Sequence, residues 1–382
     1  MVRQWTLTPL RVSSNLTGAA IDYKPCSIQG FIYTERRLNM KEWISITELR
    51  ELLDKALTIR NIPDKYKEFI IEDLITAELQ DKKTHGIGKV LLLDEALKMK
   101  EDNNIELIKE FGNYALYDGH KELGHIAALT CIDKVISLAK THGNGIVALR
   151  NASRYGRLKP FAKLIADNNL IGIVMNNAGP AAVTAYGGIT PILGTNPICF
   201  SFPSNNDDPY LFDFSTSKKV WGEIRQSTLA NKDLPENCFL DKEGHFTKDP
   251  SKADSVIAFG DNKGFALCLA IEMLAGAFTG SKVGLQVDDE YDLGFVFMAF
   301  NPEMFGDLEE FKNKLKILET DIKKSEKNDN TEKIYIPGEV SKEKLEKATE
   351  TGKVEVATET LNRLRQMAIS IDGGIESNNK MN

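Results

Sequence analysis

The amino-acid sequence predicts an α/β fold, because its hydrophobic residues change from helical to strand-like spacing near the middle of the chain. Short apolar runs at 145–149 and 171–175 have the length and composition of buried strands. A helical pattern at about 158–167 separates these runs, which gives β-α-β patterning. Two further strands are predicted at 198–202 and 210–214.

Three helices are predicted ahead of these strands. Ser45 and Glu48 have the S-x-x-E spacing of a capping box, and apolar residues follow them at helical spacing. A second amphipathic helix is predicted at about 64–80, although Asp73 falls near its apolar stripe. The third helix is predicted at about 124–139.

The rest of the chain divides into an apolar helix and several polar segments. Residues 264–278 carry almost no charge, which predicts a helix that is buried on all sides. Residues 306–333 are dense in Lys, Glu and Asp, which is typical of exposed helix and loop. Residues 1–39 are predicted to be a disordered or spurious extension ahead of Met40, with a mitochondrial transit peptide as the alternative. Residues 373–382 are predicted to be a polar tail.

Composition and charge exclude several classes of function. The 382 residues have a formal net charge of -7, so the sequence offers no basic surface for nucleic acid. No apolar run reaches the ~18 residues that a membrane-spanning helix needs. The five cysteines lie far apart and an H-E-x-x-H motif is lacking, so neither a disulfide framework nor a metal site is predicted. We therefore expect a cytoplasmic protein that acts on a small molecule.

The common nucleotide-binding fingerprints are missing from the sequence. There is no G-x-x-x-x-G-K-[ST] motif, and the G-x-G groups at 86–88 and 143–145 lack the third glycine of the dinucleotide fingerprint. The sequence therefore supports neither a P-loop nor a Rossmann domain.

Thr84, His85 and Lys89 form the first candidate site. A histidine can donate or accept a proton near neutral pH, and a lysine four residues later can anchor a carboxylate. The alternative is an exposed loop histidine beside Gly86, without a catalytic role. The residues alone leave both interpretations open.

Polar residues after predicted strands form the second candidate site. Ser153 and Arg154 follow the first predicted strand, where polar side chains often face a ligand crevice, and a simple turn is the alternative. The small polar residues at 194–197 and 213–217 are suited to approach phosphate or ribose, and tight turns are again the alternative. Lys263 stands at a predicted helix N-terminus, where a cation is disfavoured unless an anion lies nearby.

The order of these motifs carries more information than any one of them. The series runs through Thr84-His85-Gly86, Asp118-Gly119, Leu123-Gly124-His125, the turn from Arg150 to Gly156, Gly194-Thr195-Asn196-Pro197, Asp213 to Ser217, Lys263-Gly264 and Ile336-Pro337-Gly338-Glu339. In this order the sequence resembles the malate/L-lactate dehydrogenase family, which also includes ureidoglycolate, sulfolactate and diketogulonate enzymes and cyclic imino acid reductases. The resemblance covers about residues 40–370.

This resemblance implies a dehydrogenase that interconverts a small malate- or lactate-like 2-hydroxy acid and its 2-oxo acid with NAD or NADP. It implies a mixed sheet that binds the cofactor without a Rossmann unit, an N-terminal helical region, a C-terminal return segment and assembly as a homodimer. The catalytic fold is expected over residues 40–372, with the cofactor-binding part at about 120–300.

Carried over by position, the resemblance also assigns roles to individual residues. His85 is expected to exchange the proton at the carbonyl oxygen, with Thr84 in the place of the family's usual serine. Lys89, Ser153 and Arg154 are expected to bind the substrate. The residues expected to line or support the cofactor site are Thr195, Asn196, Asp213, Ser215, Thr216, Ser217, Lys263, Gly264, Pro337, Gly338 and Glu339.

The sequence departs from the family pattern at three positions. Lys89 stands where arginine is usual, and Arg154 stands where histidine is usual; Asp261, close to Lys263, replaces a common glycine. Lysine lacks the bidentate fork of arginine, and arginine does not titrate in the working range. We therefore expect Arg154 to bind the substrate carboxylate in compensation for Lys89. A catalytically impaired homologue that still binds nucleotide, or a cyclic imino acid reductase, is the alternative.

Overall fold

A computed structural model describes the chain over residues 41–101 and 104–369. The predicted extension at 1–39 and the predicted tail at 373–382 lie outside the described residues. The α-helices of the described part are α1 (Ile46–Ile59), α2 (Asp64–Leu79), α3 (Leu93–Met99), α4 (Gly124–His142), α5 (Lys159–Asp167), α6 (Gly222–Ala230), α7 (Asp261–Ile271), α8 (Leu308–Lys324), α9 (Glu339–Thr351) and α10 (Thr358–Met367).

The strands of the described part form three sheets. They are β1 (Lys41–Ser45), β2 (Glu106–Phe111), β3 (Tyr114–Asp118), β4 (Asn144–Ala152), β5 (Ile171–Asn176), β6 (Val183–Thr184), β7 (Pro191–Leu193), β8 (Ile198–Phe202), β9 (Tyr210–Phe214), β10 (Phe239–Leu240), β11 (Phe246–Thr247), β12 (Ser255–Val256), β13 (Leu293–Phe300) and β14 (Lys353–Ala357). The sheet orders are β2-β3-β4-β13-β5-β8-β9, β11-β10-β12-β6-β7 and β1-β14. In the seven-stranded sheet β3 and β4 are parallel and the other pairs are antiparallel, which confirms the predicted α/β fold with a mixed sheet.

The central strand of the large sheet, β13, comes from far along the chain. It lies between β4 and β5 and runs antiparallel to both, so the two strands of the predicted β-α-β unit are not neighbours. Phe295 and Phe297 pack in the cluster that contains residues of α4 and α5, whereas Val296 packs in the cluster that contains Ile271 of α7. Because successive strand residues face opposite sides, helices cover both faces of the sheet.

Most of the predicted elements are confirmed. β8 and β9 have the predicted bounds, and α2, α4 and α5 lie at the predicted places. The helix α1 begins after the predicted cap Ser45, whose hydroxyl oxygen accepts a hydrogen bond from the Glu48 amide at 3.0 Å. The charged region at 306–333 contains α8, which is largely exposed.

The prediction of a helix buried on all sides at 264–278 is wrong. The helix α7 begins earlier, at Asp261, and continues as a π-helix over Glu272–Ala277. Met273 is 56% exposed and Phe278 is 62% exposed, because only one face of this segment packs against the sheet. The segment therefore has few charges for two reasons: one of its faces packs in the core, and its exposed face is also apolar. Despite such apolar stretches, none of the helices in the described ranges is long and apolar enough to cross a membrane.

The chain returns to its N-terminal helices at its C-terminal end. The strand β14 pairs antiparallel with β1, and α10 packs against α1. Leu53 of α1, Val354 of β14 and Leu361 of α10 are buried in one apolar cluster. This arrangement confirms the expected N-terminal helical region and C-terminal return segment.

Candidate functional site

The turn that follows β4 is packed against the start of α4. The amide of Ser153 donates a hydrogen bond to the carbonyl oxygen of Glu122 at 3.1 Å, and its hydroxyl donates to the carbonyl oxygen of Lys121 at 3.0 Å. Gly124 lies so close to the backbone of Ser153 and Arg154 that a side chain on it would overlap them. Gly124 therefore has a packing role, because the lack of a side chain lets the turn after β4 lie against α4.

A pocket of about 80 Å³ lies between this turn, the 3₁₀ helix Ile87–Leu92 and helices α1 to α3. Lys89, Ser153 and Arg154 all line it, so the structure brings the three predicted substrate-binding residues together. The polar residues that line the pocket are Lys89, His125, Ser153, Arg154, Tyr155, Glu290 and Tyr291, and the apolar ones include Leu57, Ile70, Leu74, Val90, Leu93 and Ala96.

Arg154 already has an acidic partner in this pocket. Its Nη1 contacts Oε1 of Glu290, and its amide donates a hydrogen bond to the carbonyl oxygen of Glu290 at 2.8 Å. Burial raises the pKa of Glu290, and the positive charge of Arg154 offsets part of that rise. Because a guanidinium group carries five N–H donors, this contact leaves further donors for a substrate carboxylate.

His85 lies beside the pocket. Its carbonyl oxygen is 3.8 Å from the place that a methyl group on the lining residue Gly156 would occupy. Its Nδ1 is buried and makes no hydrogen bond within the described part of the chain. Burial, and then the positive charge of Arg157, lowers the pKa of His85 to about 4, against the opposing charge of Asp73. The imidazole is therefore neutral at pH 7.

A buried ion pair lies beneath the turn. Asp73 is 3% exposed, and its Oδ1 accepts hydrogen bonds from Nε and Nη2 of Arg157 at 3.0 and 2.7 Å. Its Oδ2 lies 3.2 Å from Nε2 of His125. Burial alone would raise the pKa of Asp73, but the hydrogen bond with His125 and the charge of Arg157 lower it. These partners explain why an acidic residue interrupts the apolar stripe of α2.

Thr84 lies against the first residue of α6. A methyl group on Gly222, the first residue of α6, would lie only 2.7 Å from Cγ2 of Thr84. The helix α6 follows the predicted cofactor segment at 213–217 along the chain. Thr84 and His85 therefore adjoin the element that continues from that segment.

Three segments predicted to line the cofactor site meet around Thr216. Its amide and its hydroxyl each donate to the carbonyl oxygen of Thr195 at 3.0 Å, and the hydroxyl also donates to that of Asn196 at 3.0 Å. The carbonyl oxygen of Thr216 accepts from the Phe259 amide at 3.0 Å. Asn196 is fully buried, and its side-chain amide donates to the carbonyl oxygen of Cys268 in α7 at 3.0 Å. These bonds fix the three segments against one another.

The start of α7 has the features of an anion site. Within the described residues no side chain caps this N-terminus. The Lys263 amide donates to the carbonyl oxygen of Gly260 at 3.2 Å, which leaves the amides of Asp261 and Asn262 for an anion. Lys263 is exposed there, and Gly264 lies so close to the carbonyl oxygen of Phe259 that no side chain fits. The hydroxyls of Ser215 and Ser217, 3.1 Å apart, lie on the segment that pairs with the chain just before α7.

Asp213 is directed to the neighbouring helix. Its Oδ2 accepts a hydrogen bond from the amide of Lys159, the first residue of α5, at 2.9 Å. Burial raises the pKa of Asp213, and this hydrogen bond offsets part of the rise. The carboxylate therefore joins β9 to α5, in addition to the cofactor role predicted for it.

The segment at 337–339 approaches β9 at a different point. Gly338 precedes α9, and a methyl group on it would lie 3.3 Å from the carbonyl oxygen of Leu211. Glu339 forms an ion pair with Lys323 of α8 at 2.5 Å, and Pro337 is exposed. The contacts of this segment are thus with β9 and α8, rather than with the cluster around Thr216.

Three residues of the site escaped the sequence analysis: Arg157, Glu290 and Tyr291. Two more, Asp73 and His125, were noted without a role. Of these residues, Asp73 alone has a local sequence pattern that could indicate a buried polar site, because it interrupts the apolar stripe of α2. No local spacing relates Arg157 to Asp73 or Glu290 to Arg154, since these partners are 84 and 136 residues apart in the chain.

The chain is similar to known proteins over most of its length. Residues 44–365 match the sequence profile described as malate/L-lactate dehydrogenase. The malate/(S)-sulfolactate dehydrogenase of Methanothermus fervidus is 32% identical over 337 residues, which cover 85% of this chain and 97% of that protein. The (2R)-3-sulfolactate dehydrogenase (NADP(+)) of Chromohalobacter salexigens is 30% identical, over 70% of this chain and 84% of that protein.

A solved structure of a related protein has a similar fold. The sulfolactate dehydrogenase of Methanocaldococcus jannaschii superimposes with a TM-score of 0.78 at 31% identity, over 85% of this chain and 96% of that one. The profile match spans both the pocket beside His85 and the segments that meet around Thr216. The chain therefore belongs to the malate/L-lactate dehydrogenase family and is an oxidoreductase.

Proposed function

We propose that the protein interconverts a small malate- or lactate-like 2-hydroxy acid and its 2-oxo acid, with NAD or NADP as the hydride carrier. The observation that carries this proposal is the pocket in which Lys89, Ser153 and Arg154 meet beside His85. Two cationic side chains suit a carboxylate, and the adjoining histidine suits proton exchange at an oxygen. Relatives in the family are named for NAD(+) or for NADP(+).

In the direction of reduction, Lys89 and Arg154 bind the carboxylate and His85 donates the proton to the carbonyl oxygen. The pKa of His85 is about 4, so the imidazole starts neutral at pH 7. A bound anion raises the pKa of a nearby histidine, so the arrival of the substrate favours protonation of His85. In the direction of oxidation, the neutral imidazole is already the required base.

The residues at the start of α7 fit an anionic dinucleotide. The uncapped helix N-terminus and the exposed Lys263 supply donors and positive charge for phosphate groups. When bound, the nicotinamide supplies the hydride for the 2-carbon. The residues proposed to hold the cofactor are Thr195, Asn196, Asp213, Ser215, Thr216, Ser217, Lys263, Gly264, Pro337, Gly338 and Glu339.

The test of this function is oxidation of NADH and of NADPH with a panel of 2-oxo acids that includes pyruvate and oxaloacetate. We expect His85→Ala to lower kcat by about 10²- to 10⁴-fold, which is typical for loss of a general acid, while cofactor affinity stays the same. His245→Ala, at a side chain that is 79% exposed, is the matched control. Equal turnover by His85→Ala and the control would rule out His85 as the proton donor.

The same assay separates the proposed enzyme from a catalytically impaired homologue. Cofactor binding measured by fluorescence, together with no turnover of any 2-oxo acid, would favour the impaired homologue. Reduction of cyclic imino acids in place of 2-oxo acids would favour an imino acid reductase.

We also propose that the protein is a homodimer. The amide of Gly284, in the turn Gly284–Gln286, donates to Oε1 of Glu272 in the π-helix at 2.7 Å. Exposed apolar side chains on this turn, on the π-helix and just after it include Met273, Phe278 and Leu285, which are 56%, 62% and 51% exposed. A second copy would remove such a patch from water. Sedimentation should give a dimer for the wild type and a shift towards monomer for Phe278→Asp; a monomeric wild type would contradict the proposal. The cytoplasmic location stays a prediction.

A further inference from the structure

The pocket beside His85 has two kinds of lining. Its charged and polar groups come mainly from the turn after β4 and from Glu290 and Tyr291. The remaining lining comes from α1, α2, α3, the start of α4 and the 3₁₀ helix Ile87–Leu92, and it is apolar except for Lys89 and His125. The apolar wall of the pocket includes Leu57, Ile70, Leu74, Val90, Leu93 and Ala96.

The charges in the pocket suffice for one carboxylate but are unfavourable for a second anion. The lining side chains that can carry a positive charge are Lys89, Arg154 and His125. Arg154 already contacts the carboxylate of Glu290, and Nε2 of His125 lies 3.2 Å from Oδ2 of Asp73. A second carboxylate or a sulfonate on the substrate would face Glu290 or the leucine-rich wall. Burial of an unpaired anion against apolar groups is strongly unfavourable.

The apolar wall belongs to the core of the N-terminal helices. Leu57, Ile70, Leu74 and Val90 are 0%, 5%, 3% and 3% exposed and belong to one cluster. These side chains are held in place by their neighbours, so the wall cannot readily supply a polar partner. Leu93 and Ala96 of α3 are half-buried and complete the wall.

We propose that the substrate carries a small aliphatic side chain, so that the preferred substrates are branched-chain 2-oxo acids and their 2-hydroxy acids. This inference rests on the proposed function and narrows its substrate class. The carboxylate and the 2-oxo group lie at Lys89, Arg154 and His85, and the alkyl group lies against the apolar wall. The wall offers no hydrogen-bond donor to a second anion, so it suits an alkyl group better than a charged one.

The first measurement is kcat/KM of the wild type for pyruvate, 2-oxobutanoate, 3-methyl-2-oxobutanoate, 4-methyl-2-oxopentanoate, oxaloacetate and 3-sulfopyruvate. Each buried carbon should raise kcat/KM about fourfold, from ~0.8 kcal/mol per methylene group. We expect values that increase from pyruvate to 4-methyl-2-oxopentanoate and a value for oxaloacetate below that for pyruvate. A preference for oxaloacetate or 3-sulfopyruvate over every aliphatic acid would overturn the inference.

A variant pair tests the wall itself. Ala96→Phe should fill the space, so the ratio of kcat/KM for 4-methyl-2-oxopentanoate to that for pyruvate should fall at least tenfold. Met99→Phe, on the same helix but outside the pocket lining, should keep the wild-type ratio. An unchanged ratio in Ala96→Phe would overturn the inference.

A binding measurement separates this inference from the proposed reaction. In the presence of NADH, 2-hydroxy-4-methylpentanoate should raise the Tm of the wild type more than malate does. If that difference persists while no 2-oxo acid is turned over, the proposed reaction is wrong and the assignment of the pocket stands. If malate raises the Tm as much or more, the assignment of the pocket is wrong.

Discussion

The two sides of the site satisfy their polar groups by different means. On the proposed substrate side, charged residues pair with one another: Asp73 and Arg157 form a buried pair, and Arg154 pairs with Glu290 at side chains that are 29% and 35% exposed. On the cofactor side, the neutral hydroxyl of Thr216 bonds to backbone oxygens. Removal of one charge from a buried pair leaves the other unpaired, whereas loss of a neutral hydroxyl is much less disruptive. The substrate side should therefore be far more sensitive to single substitutions and to pH.

The largest effect on stability is expected at the buried ion pair. Asp73→Asn leaves the guanidinium of Arg157, which is 8% exposed, without its counter-charge. We expect the free energy of unfolding to fall by about 3–5 kcal/mol. Asp81→Asn, which removes an exposed partner of Lys344, should change it by less than about 1 kcal/mol. Equal urea midpoints for the two variants would contradict the difference between buried and exposed charges.

The next effect is a loss of stability in acid. Because the unfolded imidazole of His85 takes up a proton near pH 6.5 while the folded one stays neutral until about pH 4, protons favour the unfolded chain between these values. We expect His85 to contribute a loss on the order of 3 kcal/mol between pH 6.5 and pH 4. Urea unfolding of His85→Gln should lack this part of the loss, and His245→Gln should retain it. If the free energy of unfolding fell equally with pH in the wild type and in His85→Gln, the lowered pKa of His85 would be contradicted.

A smaller effect is expected on substrate affinity at Arg154. Arg154→Ala removes a charge-assisted contact worth ~1.5–3 kcal/mol, so KM for a 2-oxo acid should rise about tenfold or more. Glu290→Gln frees Arg154 from its partner, and KM should fall or stay the same. The exposed Arg225 gives a control, Arg225→Ala. An unchanged KM in Arg154→Ala would show that the carboxylate anchor has not moved to this residue.

The smallest effect is expected on the cofactor side. Thr216→Val removes the buried hydroxyl bonds to Thr195 and Asn196, and the free energy of unfolding should fall by about 1–2 kcal/mol. Thr228→Val, at an exposed hydroxyl on α6, should change stability by less than about 0.5 kcal/mol. If Thr216→Val lowered the free energy of unfolding as much as Asp73→Asn does, the proposed difference between a buried charge pair and a neutral hydroxyl would be contradicted.

Local patterns in the sequence predicted much of the fold but little of the pairing between distant segments. The strands β8 and β9 and the cap at Ser45 could be predicted because alternation and capping are local properties. No element was predicted at Leu293–Phe300, although it is the central strand of the large sheet. Its place between β4 and β5 depends on pairing with residues more than a hundred positions earlier, which no local pattern records.

The same limit explains which parts of the site could be predicted. Lys89, Ser153 and Arg154 follow recognisable motifs, and the structure brings them to one pocket. The partner of Arg154, Glu290, lies on a loop without a motif, and Tyr291 follows it. The charge balance of the pocket, on which the proposed substrate class rests, therefore required the three-dimensional arrangement.

The most direct test of the central claim is transfer of a deuterium label from the cofactor to the substrate. The protein would be incubated with NADH or NADPH that carries deuterium at the 4-position and with 4-methyl-2-oxopentanoate, oxaloacetate or pyruvate. We predict a 2-hydroxy acid that carries deuterium at the 2-carbon, and about 10²-fold less of it or lower with His85→Ala. Unlabelled product, or equal labelled product from the wild type and His85→Ala, would contradict hydride transfer assisted by His85.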